Sequence, residues 1–356
     1  MNRRTFLTAL LGSAIGVPLV TSTTFVPSLT SALAQWSVEG RMPSFAGATA
    51  WLNSQPLTPS ALRGKVVLVD FWTYTCINWL RTSPYVSAWA DKYRDQGLVV
   101  IGVHAPEFSF EKDLDSVRRA VAERKVRYPV VVDNNHEIWR AFRNQHWPAL
   151  YMVDAQGRIR HRHVGEGSYE QSERVLQQLL IEAGIRDIGP ELVSVDASGI
   201  EAAADWSSLR SPENYLGYAR SEGFASPGGN PPNHPRRYTA PTQPRLNHWG
   251  LAGDWTIESE ATVLNEANGR LVYRFHARDV HLVLAPGARG PVRFRVRIDG
   301  VAPGADHGTD TDAEGRGTVD VPRLYQLVRQ SGPVAERSFE IEFLDPGVRA
   351  YAFTFG

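Results

Sequence analysis

Cys76 is the only cysteine in 356 residues. It stands where an apolar run ending at Trp72 gives way to a helical pattern beginning at Ile77. A thiol at a helix start meets unpaired backbone N–H groups and the positive end of the macrodipole. Both favour the thiolate, so titration below the free-cysteine value of ~8.5 is expected, as suits a nucleophile. With no second cysteine an intramolecular disulfide is impossible, and the thiol must react with another molecule, pair with one, or be buried. His161 and His163 share a strand face and invite a metal, but no third ligand stands at a convincing spacing, so an exposed face is the better expectation and no metal is assigned. Glu107 follows a strand at its C-terminal end, where α/β folds place functional groups, and a capping role is as good a reading.

The elements that must position these residues follow from periodicity. Lys65 to Trp72 is a near-continuous apolar run, which suits a strand buried on both faces. Residues 77 to 95 read as a helix with Pro84 inside it. Leu98 to Val103, Glu111 to Lys125, Tyr128 to Val132 and His136 to Phe142 continue a βαβα alternation. Ala149 to Val153 and Ile159 to Val164 form a hairpin about Asp154-Ala155-Gln156-Gly157, and a last helix, Tyr169 to Ala183, ends at Gly184. Before the main sheet, Trp51 to Pro56 reads as part of a short hairpin. From about residue 190 the texture changes. Ser226 to Pro244 holds six prolines and two glycines, too many for regular structure. Beyond it, residues 291–299, 339–343 and 351–355 alternate as half-buried strands, expected to build an antiparallel sandwich.

Lys plus Arg and Asp plus Glu number 38 each, so neither nucleic acid nor an anionic membrane surface is indicated as a partner. At the N-terminus, Arg3-Arg4 precede an uncharged apolar run from Ala9 to Val20, and Ala32-Leu33-Ala34 offers a small-x-small cleavage pattern. Residues 1–34 therefore read as a twin-arginine-type export signal, the chain's only link to a membrane, with a periplasmic or extracytoplasmic destination. The apolar run is shorter than the ~20 residues that a bilayer span needs.

The wording Asp70-Phe71-Trp72-Thr73-Tyr74-Thr75-Cys76-Ile77-Asn78, then Arg81-Thr82 and Pro84, resembles the exported thioredoxin-fold oxidoreductases of the DipZ/TlpA group. There the motif would read Cys-Ile-Asn-Cys; here Trp79 stands at the place of the second cysteine. The resemblance implies an α/β thioredoxin fold over residues 35–186 with Cys76 as nucleophile. It implies that Asp70 is the carboxylate that exchanges protons with the thiol, and that Pro148, after Trp147, is the cis-proline that clamps an extended substrate. Trp72, Trp79 and Trp147 are then expected along the substrate groove. Thr82 occupies the position where TlpA-type relatives often carry a glutamate. Thr73-x-x-Cys76 also echoes peroxiredoxins, but Val69 stands where their proline belongs.

Asn214-Tyr215-Leu216-Gly217-Tyr218, Gly253-Asp254-Trp255 and Pro322-Arg323-Leu324-Tyr325 are similar to the all-β, jelly-roll-like sandwich that follows the redox domain in DipZ-like proteins, here residues 187–356. That module has been likened to carbohydrate-binding modules. Trp206, Tyr215, Tyr218, Trp249, Trp255 and Tyr325 are the candidate platforms for a glycan, though aromatics in a sandwich also fill its core. The expected function is monothiol thiol-disulfide exchange with a thiol- or disulfide-containing protein, without a cofactor: a thiolate at position 76 attacks a disulfide and an external thiol releases the adduct. Two alternatives stay open, a non-catalytic binding protein working through its β-sandwich and a one-cysteine peroxidase.

Overall fold

The structure, a computed structural model, describes residues 38–356; the proposed export signal lies outside them. Seven strands and four helices come first: β1 Gly40–Arg41, β2 Ala50–Leu52, β3 Val66–Trp72, α1 Ile77–Tyr93, β4 Leu98–His104, α2 Leu114–Glu123, β5 Val130–Val132, α3 Glu137–Ala141, β6 Ala149–Val153, β7 Arg158–Val164 and α4 Tyr169–Glu182. They build one sheet in the order β1-β7-β6-β3-β4-β5-β2, with β3 parallel to β4 and antiparallel to β6. Every residue of β3 is buried, as its uninterrupted apolar run requires of a central strand covered on both faces. The fold is thioredoxin-like. The expected N-terminal hairpin is absent: β1 pairs with β7 and β2 with β5, at opposite edges of the sheet. Trp51 and Leu52 lie in β2, whose ladder partner is the distant β5 and not a neighbouring strand in sequence.

Eleven strands follow: β8 Asn214–Tyr215, β9 Arg236–Tyr238, β10 Trp249–Ile257, β11 Thr262–Leu264, β12 Gly269–His276, β13 Asp279–Ala285, β14 Val292–Ile298, β15 Arg316–Val319, β16 Arg323–Arg329, β17 Glu336–Phe343 and β18 Arg349–Phe355. They form an all-β, curled sheet around their own apolar core, which includes Trp249, Trp255, Tyr273, Tyr325 and Phe353. β10 belongs to both layers. Its first half pairs with β12 and its second with β9 and β11, and the change falls at Gly253, whose φ of 98° lets the strand turn the corner. The proline-rich stretch is not wholly irregular, because Arg236–Tyr238 within it pairs with Gly253–Trp255.

β14 alternates buried and open residues as its sequence predicts. β18 and β13 do not: all of β13 and all but the first residue of β18 are buried. Their second faces are covered by the thioredoxin-like lobe. Tyr351 packs on Phe108 and Phe110, with ring centroids 5.1 and 4.7 Å apart. The buried Arg81 of α1 lies 3.0 Å from Glu166 and 3.9 Å from Asp279 of β13. Ser109 donates through both its backbone N–H and its hydroxyl to Glu260, at 3.0 and 2.6 Å. The described residues, 38–356, accordingly form one compact unit. No helix among the described residues is long and apolar enough to cross a membrane.

Candidate active site

Cys76 caps α1 at its N-terminus, and its backbone N–H donates to the Thr73 carbonyl at 3.2 Å. The thiol donates to the Trp147 carbonyl at 3.7 Å, and the Trp147–Pro148 peptide is cis. Strand β3, helix α1 and the loop before β6 thus bring Cys76, Trp147 and Pro148 to one place. Trp147 is itself fixed by its indole N–H, which donates to the Ala105 carbonyl at 3.0 Å, and by packing against Trp139 at 4.3 Å.

The thiol opens into a cleft of about 500 Å³ whose walls come from both lobes. One wall is Ile77, Asn78, Glu107, Gln145, His146 and Trp147; the other is Trp206, Leu209, Glu213, Tyr215, Arg220, Thr354 and Phe355. Tyr215 lies between the two carboxylates, 2.6 Å from Glu107 and 2.9 Å from Glu213. Its single hydroxyl proton serves one of them at a time. Arg220 holds Glu107 at 3.0 Å and lies 3.6 Å over the Tyr215 ring. Glu107 is presented by a tight loop: buried Glu111 accepts the backbone N–H groups of Glu107 and Phe108 at 2.5 and 2.9 Å, and the Thr75 hydroxyl at 2.6 Å. Burial pushes the Glu111 carboxyl up to about 7.

The expected depression of the Cys76 pKa is reversed. Desolvation pushes the thiol well above its ordinary value, and the charges of Glu213 and Glu107 push it the same way. The backbone N–H groups of Trp79 and Asn78 oppose this, as a helix start should, but more weakly. Glu213 is raised too, first by the crowding of the cleft and then by Glu107, although its side chain reaches solvent at the rim.

Behind the helix start the geometry departs from the expected groove. Trp72 and Trp79 are both 0% exposed and stack at 4.2 Å, so they form core and not a substrate wall. The Trp79 indole N–H donates to Asp70 at 3.0 Å, and the Tyr128 hydroxyl lies 3.5 Å from the same oxygen. Burial pushes the Asp70 carboxyl up to about 7 against these hydrogen bonds. Trp79 therefore holds the very carboxylate that was expected to exchange protons with the thiol. His104, against Trp72 and Tyr74, is fully buried and pushed down to about 3 by that burial. Thr73 is fully buried and is not among the residues that line the cleft.

Among the described residues no group of three or more His, Cys, Asp or Glu is placed to hold a metal ion. Of the six aromatics considered for sugar stacking, Trp249, Trp255 and Tyr325 are fully buried core, and Tyr215 is engaged with the carboxylates. Trp206 is open, at 61% exposure, and Tyr218 stands at 37%. Sequence reasoning missed Glu213 and Arg220 altogether, and it named Tyr215 as a motif residue and a sugar platform, not as a partner of the thiol's cleft.

The sheet order, the cysteine at the start of α1 and the adjoining cis-proline loop define a thioredoxin-like protein. The Redoxin family matches residues 37–180, and the family described as "Thioredoxin like C-terminal domain" matches residues 211–356. Thiol-disulfide oxidoreductase YkuV of Bacillus subtilis is 32% identical over 141 residues, which are 40% of this chain and 95% of that protein. The chain belongs to this redoxin, thioredoxin-like family of thiol-disulfide oxidoreductases. Protein DipZ of Mycobacterium bovis is 35% identical over 250 residues, 69% of this chain; the chain spans about a third of DipZ, 35% of its length. Among solved structures, a thioredoxin-like protein in its oxidised form is similar with a TM-score of 0.38 and 33% identity, over 40% of this chain and 96% of that one.

Proposed function

We propose that the protein performs monothiol thiol-disulfide exchange at Cys76, with an external thiol in place of the resolving cysteine. The observation that carries this reading is the Cys76 sulfur opening into the cleft beside the Trp147 carbonyl, 3.7 Å away. The thiolate attacks a disulfide sulfur and the S–S bond breaks. A mixed disulfide forms, and the leaving thiolate takes up the proton that Cys76 gave away; a second thiol later attacks the adduct. Pro148 borders the site as the substrate clamp. Asp70 would reach the thiol only by way of Trp79, so its part is to hold the helix start in place and not to take the thiol's proton directly. Export under the Arg3-Arg4 segment, and a division into parts 35–186 and 187–356, belong to the same proposal.

Exposure of the folded protein to 2-hydroxyethyl disulfide, followed by intact mass, tests the reading. The expected result is one adduct, mapped to Cys76 and removed by added thiol. A folded protein that stays unmodified from pH 7 to 10, while the urea-unfolded chain reacts, would overturn it and leave a binding scaffold.

A further inference from the structure

Resting on that reading, we propose that the cleft selects small disulfides that carry an ammonium group, and that the C-terminal lobe supplies the selecting wall. The argument begins with size. A cleft of about 500 Å³ closed on one side by Trp206, Glu213 and Tyr215 has the dimensions of a small-molecule site.

Charge narrows the ligand further. Glu107 and Glu213 face the cleft with one guanidinium between them, and Arg220 is already bound to Glu107 at 3.0 Å. Among the described residues the only hydrogen bond to Glu213 comes from Tyr215, which is shared with Glu107. The second carboxylate thus shares the Arg220 charge and has no ion pair of its own among those residues. Thr354 also lines the cleft, at 5% exposure, and among the described residues its hydroxyl has no hydrogen-bond partner. An ammonium, with three N–H donors, would satisfy Glu213 and leave donors over for the other polar groups of the cleft. The open indole of Trp206 adds a face of the kind that cations prefer.

Such a ligand also answers the chemistry of the thiol. With the cleft empty, two carboxylates disfavour a thiolate at position 76. An ammonium seated on Glu213 cancels the nearer charge, so the substrate itself promotes loss of the Cys76 proton. The thiolate then attacks the bound disulfide R–S–S–R: the Cys76–S–S–R bond forms, the substrate S–S bond breaks, and R–S⁻ departs with the electron pair and is protonated. Cys76–SH and R–S–S–R become Cys76–S–S–R and R–SH, with atoms and electrons balanced.

The test compares adduct formation by cystamine, neutral 2-hydroxyethyl disulfide and anionic 3,3′-dithiodipropionate, each rate divided by that of the urea-unfolded chain. The expected order is cystamine, neutral, anionic, with at least a tenfold preference for cystamine over the neutral compound. Glu213→Gln should reduce that ratio severalfold, and 0.5 M salt should shrink it as well. Adducts from all three at equal normalised rates, or a ratio unmoved by Glu213→Gln, would overturn the selection while leaving thiol exchange standing. No adduct from any of them would overturn the exchange reading and this inference with it. Insulin separates free small molecules from protein partners: an insulin adduct forming faster than the cystamine adduct would overturn the small-ligand assignment.

Discussion

Two polar sites lie on either side of the start of α1, and they are built in opposite ways. Behind it, Asp70 is sealed under Trp79, Trp72 and Tyr128, with its Oδ2 held by the Trp79 indole N–H. In front of it, Cys76 meets Glu107, Tyr215, Glu213 and Arg220 in a cleft that only the second lobe completes. In a two-cysteine thioredoxin the rear carboxylate and the thiol pair would work together. Here an indole occupies the place between them. The comparison teaches that the rear of the helix start is core, with Trp79 holding Asp70, whereas the thiol in front is raised first by burial and further by two carboxylates at the lobe interface.

The largest expected effect is at Trp79. Trp79→Ala removes the stacking on Trp72 and leaves a cavity and a buried carboxylate without its donor, a loss of about 3–5 kcal/mol. Urea denaturation measures it, and a loss below 1 kcal/mol would mean that the rear site is not the packed unit described. Next comes the seam between the lobes. Arg81→Ala removes the guanidinium that faces Asp279 across the seam at 3.9 Å and leaves Glu166 of its own lobe without its cation, which together should cost about 3 kcal/mol, read by the same method; a neutral outcome would make this part of the seam incidental to stability.

The third prediction separates the two sites by pH. Asp70 is raised in the folded state to about 7, so the native protein binds this proton more tightly than the unfolded chain does. Its favourable contribution is complete below about pH 4 and is lost as pH rises through 7. Asp70→Asn removes the loss, and wild-type stability should fall by about 2–3 kcal/mol relative to the variant between pH 5 and pH 8. Parallel pH profiles for the two proteins would show that Asp70 is charged in the fold.

What was legible in the sequence follows the reach of each interaction. The Val66–Trp72 run announced a central strand because burial on both faces leaves it almost wholly apolar, and Cys76, at the start of the helix that follows, marked the candidate nucleophile. Trp147 and Pro148 were found through the resemblance alone. Glu213 and Arg220 were not legible, because they reach the site through lobe packing; the Tyr215–Glu107 and Arg220–Glu107 contacts join residues 108 and 113 apart. The end of β18 carried a weak signal. Its alternation predicted one buried face, and nothing in Tyr351-Ala352-Phe353-Thr354-Phe355 said that Phe108 and Phe110 would cover the other. The pKa expectation failed for the same reason: the helix start is local and visible, whereas the desolvation and the second carboxylate are tertiary.

The most direct test of this account is the pH profile of Cys76 alkylation by neutral iodoacetamide, in the wild type, in Glu213→Gln and in the Glu107→Gln/Glu213→Gln double variant. The account predicts a wild-type midpoint above the free-cysteine value of ~8.5, falling stepwise as each carboxylate is neutralised. A wild-type midpoint below that value, unmoved by either variant, would contradict it and return control of the thiol to the helix start alone.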